Sequence, residues 1–176
     1  MSLRDILYRM LPPIGGVPPY PTGAYGEPRT RGPNPHPGVD FNYNVPGPHG
    51  INLLHPAVRS PIAGIVTNAG QGTVGRIAIR DANGFSHEIL HTHTRHVSVG
   101  DPVAAGQLIG TMGNTGVDKP NIETGPNHVH YQVKDPAGRV AAAGRSESSP
   151  AGISRRVSAI HAGPRRRGTQ QLWQCS

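Results

Sequence analysis

Glycine and proline, 24 and 19 of 176 residues, restrict this chain more than any other feature. Together they make up about a quarter of the sequence, against an ordinary share of about 12%. Glycine weakens a helix interior and proline breaks it, so a helical bundle or coiled coil is excluded. No strict glycine period exists, which excludes collagen. With 35% apolar and 15% charged residues, the composition suits a small β domain rich in turns and flanked by irregular segments. The length allows one domain with a modest core. Cys175 is the sole cysteine, so no intramolecular disulfide can form.

Apolar residues alternate with polar or small ones over 62–68, 76–81 and 86–93, and more briefly over 108–112 and 129–133. These segments are predicted strands. Asn83-Gly84, between two of them, signals a tight hairpin. Residues 12–35 hold eight Pro and five Gly and read as an irregular, extended connector. Before it, Leu3, Ile6, Leu7, Met10 and Leu11 recur at helical spacing. They predict a short amphipathic helix over Met1–Leu11 that ends at Pro12-Pro13. A helix of about nine residues is marginal alone, so it either packs on its own domain or docks on a larger assembly. Gly113–Asn127 reads as a long loop. Beyond Val140 periodicity is lost, and a disordered tail is expected.

Charge is concentrated in that tail. Residues 1–138 have 10 Lys+Arg and 9 Asp+Glu, whereas 139–176 have 7 Arg and the single acid Glu147. Such a tail suits an electrostatic arm for an anionic polymer or lipid, or a solvated end. No aromatic stacking platform accompanies the arginines, so no specific nucleic-acid site is expected. No run of 18 apolar residues exists to span a membrane. Arg4, Asp5 and Arg9 interrupt what would be the apolar part of a secretory signal.

Histidine is abundant at ten residues. Six of the ten fall in two windows: His87, His91, His93 and His96, then His128 and His130. On a strand, His128 and His130 would project from one face. His36 and Asp40, four apart with Gly38 between them, can turn back toward one ion. Two imidazoles and a carboxylate form a three-ligand tetrahedral set with one open position, a hydrolytic rather than a structural arrangement.

Five segments, taken in order, make the pattern specific. HPGVDF (36–41), SPIAGIVTNAG (60–70), NGFSHEILHT (83–92), VSVGDPVAAGQLIGTMGNTG (97–116) and GPNHVHYQV (125–133) resemble the LytM/lysostaphin-like zinc endopeptidases, which cut peptidoglycan peptides. The resemblance covers roughly residues 33–137. It implies a mostly antiparallel, barrel-sandwich-like β fold, with a groove floored by the central sheet. It also implies a Zn²⁺ ion bound by His36, Asp40 and His130, with His128 and His91 as catalytic histidines. His91 is chosen by its spacing from Gly100 and Gly84, and His93 is the second choice. Position 89, where the family usually has tyrosine, is Ile here. The loop before His128 and the segment Asn42–Pro56 are expanded.

These expectations divide the chain into a helix and connector (1–32), a metallopeptidase domain (33–140) and a basic tail (141–176). The substrate would be peptidoglycan, reached from a phage particle or an injection apparatus, with Met1–Leu11 docking on a phage tail or secretion-apparatus protein. Two rivals are a LytM-like domain that binds without turnover and a biotinyl/lipoyl-like carrier. The carrier needs a lysine at an exposed hairpin tip, and the chain's two lysines, Lys119 and Lys134, are not so placed.

Overall fold

A computed structural model describes residues 2–30, 32–43, 55–70, 72–117 and 127–141. Most of the expanded segment after Asn42, most of the loop before His128, and the basic tail lie outside these residues. The elements begin with α1 (Leu3–Met10), β1 (Pro19–Gly23), β2 (Val39–Tyr43) and β3 (Ala57–Arg59). β4 (Gly64–Ala69), β5 (Ile77–Arg80), β6 (Ser86–Leu90) and β7 (Thr92–Arg95) follow. The last are β8 (Pro102–Val103), β9 (Leu108–Met112), β10 (Val129–Lys134) and β11 (Val140–Ala141). They form an eight-stranded sheet, ordered β1-β2-β10-β6-β5-β4-β8 with β11 on β10, and a three-stranded sheet, β3-β9-β7. All the pairings are antiparallel.

Register sorts the large sheet into two faces, because residues paired across strands project together. Ile77, Ile89, Tyr131 and Val39 form one row, and Ile79, His87 and Val133 the next. These side chains are buried in a core that also takes Val58, Ile109 and Met112 from the small sheet. The alternate rows, Leu90-His130-Asp40 and Ala78-Glu88-Gln132, occupy the opposite face. The core thus fills one side of the sheet, and its polar residues collect on the other.

Two strand expectations need correction. The connector is not irregular throughout: β1 pairs with β2, from Pro19↔Tyr43 to Gly23↔Asp40. Prolines are tolerated there because β1 is an edge strand, where a missing N–H donor faces no partner. The predicted 86–93 strand also breaks. His91 adopts φ 67° and passes the chain from β6 in the large sheet to β7 in the small one. The Asn83-Gly84 hairpin forms between β5 and β6, with Gly84 at φ 84°. The Asp81 carboxylate accepts from the Asn83 and Phe85 amides across this turn.

The amino-terminal helix packs on its own domain. Ser2 and Asp5 cap it reciprocally, which satisfies donors that a short helix leaves orphaned. Ile6, Leu7, Met10 and Leu11 are buried in the common core. Arg9 donates to the Pro61 carbonyl at 2.9 Å, and the Tyr43 hydroxyl donates to that of Pro12 at 2.5 Å. Of the two expectations for this helix, packing on its own domain is the one observed, and the apolar stripe is taken up by the chain's own core. Met10→Ala should cost about 2–5 kcal/mol of stability by urea denaturation, as expected for a truncated core side chain. An unchanged unfolding midpoint would show that α1 is not part of the core.

Candidate metal and catalytic site

Antiparallel pairing of β2 with β10 sets Asp40 directly opposite His130. His36 lies just ahead of β2 and returns to the same place through Pro37-Gly38. That return needs glycine: a Cβ on Gly38 would lie 2.7 Å from His130 Nε2 and closer still to the Tyr131 carbonyl oxygen. His36, Asp40 and His130 are all buried. His36 Nε2 lies 3.0 Å from His130 Nδ1 and 3.3 Å from Asp40 Oδ1. His130 Nδ1 lies 2.8 Å from Asp40 Oδ1.

The outer partners of each ring define what faces inward. His36 Nδ1 is 2.8 Å from the Ala24 carbonyl, a pure acceptor, so it carries the proton and Nε2 carries the lone pair. His130 Nε2 is 3.1 Å from Gln132 Oε1; with the hydrogen on Nε2, the His130 lone pair lies on Nδ1. Two imidazole lone pairs and a carboxylate oxygen then converge within 4.8 Å of one another. Atoms this close need a proton or a cation between them. Tetrahedral zinc with bonds of about 2.0–2.1 Å holds its ligand atoms about 3.3 Å apart, so the three residues fit that ion.

Charge around the triad favours the same arrangement. Burial alone would raise Asp40, but the His130 hydrogen bond, the neighbouring His128 and the Arg29 guanidinium hold its carboxyl well below the ordinary range. Arg29 bonds Asp40 Oδ2 and leaves Oδ1 to the histidines. Burial keeps His36 neutral, against the pull of Asp40.

His128 sits one residue ahead of β10, its amide bonded to the Gly113 carbonyl at 3.1 Å. Its Nε2 lies 3.8 Å from Asp40 Oδ1. The His91 ring lies 4.7 Å from the His128 ring and 6.1 Å from the His130 ring, centroid to centroid. His91 Nδ1 donates to the Thr115 carbonyl at 2.8 Å, which leaves Nε2 as the basic atom. Burial, reinforced by His128, lowers His91 to a pKa of about 4. Its positive φ is a backbone conformation that non-glycine residues adopt infrequently and that recurs at functional positions.

The competing histidines lie elsewhere. His87 is on the core face and bonds the Tyr131 hydroxyl at 2.7 Å. His93 stacks on His55 at 3.7 Å, and His96 is exposed beside Thr94. Ile89, the departure from the family tyrosine, is buried in the core and does not border the triad. Sequence reasoning missed Arg29, Gln132 and Glu88. Gln132 was detectable, since it lies two residues beyond His130 and so shares its face. Arg29 lies in the Pro/Gly connector and left no periodic signal.

Comparison with known proteins assigns the class. The family model described as Peptidase family M23 matches residues 34–146, and the chain belongs to this family. Lysostaphin from Staphylococcus simulans is 32% identical over 121 residues, 66% of this chain and 20% of lysostaphin. Glycyl-glycine endopeptidase ALE-1 from Staphylococcus capitis is 34% identical over 121 residues, 66% of this chain and 27% of ALE-1. This chain therefore spans only a fifth to a quarter of those relatives. The lysostaphin catalytic domain superposes with a TM-score of 0.54 at 25% identity, covering 70% of this chain and 87% of that one. The catalytic domain of the prophage-encoded M23 protein EnpA from Enterococcus faecalis shares the fold, with a TM-score of 0.56 at 20% identity over 74% of this chain and 93% of that one.

Two outcomes follow from this geometry. Gly38→Ala should abolish zinc retention by displacing His130, as metal analysis of the purified variant would report; full occupancy would contradict the close approach. The second concerns pH. His91 is lowered from 6.5 to about 4 in the fold, so the unfolded chain takes the proton first as pH falls. Its stabilising contribution is complete above about pH 6.5 and is lost on descending to about pH 4. Denaturation of chelator-treated protein across that window should show a steeper loss for wild type than for His91→Asn. Parallel slopes would exclude the assignment.

Proposed function

We propose that this chain is a zinc-dependent endopeptidase that hydrolyses amide bonds in the peptides of bacterial peptidoglycan. The observation that carries the reading is the convergence of three buried metal-ligating groups, from His36, Asp40 and His130, beside the imidazoles of His91 and His128. Family membership and the similarity to two staphylococcal proteins, one named a glycyl-glycine endopeptidase, support peptidoglycan as the substrate class.

His36, Asp40 and His130 would hold the ion, which supplies Lewis acidity toward water and the scissile carbonyl. The remaining chemistry belongs to the chain. His91, neutral at physiological pH with its Nε2 lone pair free, takes the proton of the attacking water. His128, across from it, donates a hydrogen bond to the charge that develops on the carbonyl oxygen, and His91 passes the proton it took from water to the leaving amine. Thr115 holds His91 in the required tautomer, as Ala24 does for His36. Delivery from a phage particle or injection apparatus belongs to the same proposal. A carrier would have to engage the exposed side of α1, around Arg4, because the apolar side is occupied.

The test is mass spectrometry of fragments released from purified peptidoglycan, with metal content measured in parallel. Replacing His36, Asp40 or His130 by Ala should remove both zinc and turnover. His128→Ala should retain zinc yet lose at least about 10²-fold in turnover, the usual effect of deleting a donor aimed at the developing oxyanion. Metal loss in His128→Ala with retention in His130→Ala would reverse the two roles. A wild-type protein that binds zinc and peptidoglycan without releasing fragments would instead be a binding domain.

A further inference from the structure

Beyond His130 the same sheet face continues as a chain of polar contacts. Gln132 Oε1 lies 3.1 Å from His130 Nε2, and Gln132 Nε2 donates to Glu88 Oε2 at 2.6 Å. Glu88 Oε1 accepts from Lys134 Nζ at 3.1 Å and from Arg76 at 3.3 Å. Glu88 and Gln132 are only 4% and 8% exposed, so water does not substitute for these partners. We propose that Glu88, acting through the amide of Gln132, fixes the tautomer of His130 and so presents its Nδ1 lone pair to the metal.

The argument is one of donors and acceptors. An amide can turn over and exchange its oxygen and nitrogen, and by itself Gln132 would not dictate which His130 nitrogen is protonated. A carboxylate can only accept, so it requires the Gln132 nitrogen on its own side. The oxygen must then face His130 Nε2, which must carry the hydrogen. The lone pair is left on Nδ1, the atom that meets Asp40 and His36. Lys134 and Arg76 hold Glu88 as the fixed end of the relay. His36 needs no such device, because a backbone carbonyl performs the task directly. Glu88 and Gln132 are positioning residues: neither reaches the metal, and partners of this kind commonly change metal affinity by 10–100-fold.

This inference rests on the metal site proposed above, and its test separates the two. Zinc affinity of the full chain is measured by competition with a chromophoric chelator for wild type, Glu88→Gln, Gln132→Met, their double variant and His36→Ala. Glu88→Gln preserves shape but allows both amides to turn over. It should weaken zinc binding by about 10–100-fold, as should Gln132→Met. The double variant should bind no more weakly than Gln132→Met alone, because Glu88 acts only through Gln132. Thermal stability in excess chelator reports structural damage separately, and Gln132→Ala serves the cycle should Gln132→Met not fold. Wild-type affinity in Glu88→Gln, or additive losses in the double variant, would overturn the relay and leave the metal site standing. Equal zinc binding by His36→Ala and wild type would overturn the metal site, and the relay with it.

Discussion

The pairing of β2 with β10 is the contact on which the rest of the site depends. It sets Asp40 against His130, two residues separated by most of the domain's sequence, and gives both the same face of the sheet. A slip of one residue would turn His130 into the core and Tyr131 out of it. Such a slip is opposed by the core row of Ile77, Ile89, Tyr131 and Val39, which is apolar throughout apart from the tyrosine hydroxyl. The Tyr131 hydroxyl in turn is bonded to His87 within the core. Apolar packing on one face thereby holds the register of Asp40 and His130 on the other.

Ring nitrogens and a carboxylate oxygen this close need a proton or a cation between them, and the surrounding structure orients them for it. Arg29 neutralises the outer oxygen of Asp40. Ala24 and Gln132 absorb the outer hydrogens of the two histidines. Two of these three partners lie in the segment between α1 and β2. That segment reaches the site because β1 is stitched to β2 along the sheet edge. What reads as a spacer in the sequence is therefore part of the metal-facing structure.

Strong, short-range signals in the sequence marked much of this fold. Asn83-Gly84 marked its hairpin, and the alternation over 108–112 coincides with β9. The helix was visible from Leu3, Ile6, Leu7, Met10 and Leu11, though nothing local could say whether its apolar stripe met its own domain or another. β1 was hidden because its prolines argue against a strand except at an edge, and edges are decided by tertiary order. The break at His91 was hidden for a related reason: the alternation runs through it, and the turn between sheets appears only in φ. Within the site, the spacings of His36 with Asp40 and of His128 with His130 suggested only that each pair shares a direction, and it was the family resemblance of the five segments that singled these residues out. The outer partners were not legible, because Arg29, Ala24 and Glu88 reach the triad through long-range pairing that no local pattern encodes.

The two proposed catalytic histidines have different mechanical support, and this bears on how the site keeps its shape. His128 lies at the start of β10, tied by its amide to Gly113, so the strand that carries His130 also carries it. His91 stands at the corner between the two sheets. Its amide donates to Val74 at 2.9 Å, and its ring nitrogen donates to Thr115. Thr115 is itself anchored, its hydroxyl donating to the Thr92 carbonyl at 2.8 Å. The left-handed backbone at His91 is thus held by bonds from both sides of the corner. Relaxing it to an extended conformation would continue β6 in the large sheet, break the turn into β7 and carry the imidazole away from His128. One residue thus both joins the two sheets and places its imidazole beside His128 and His130.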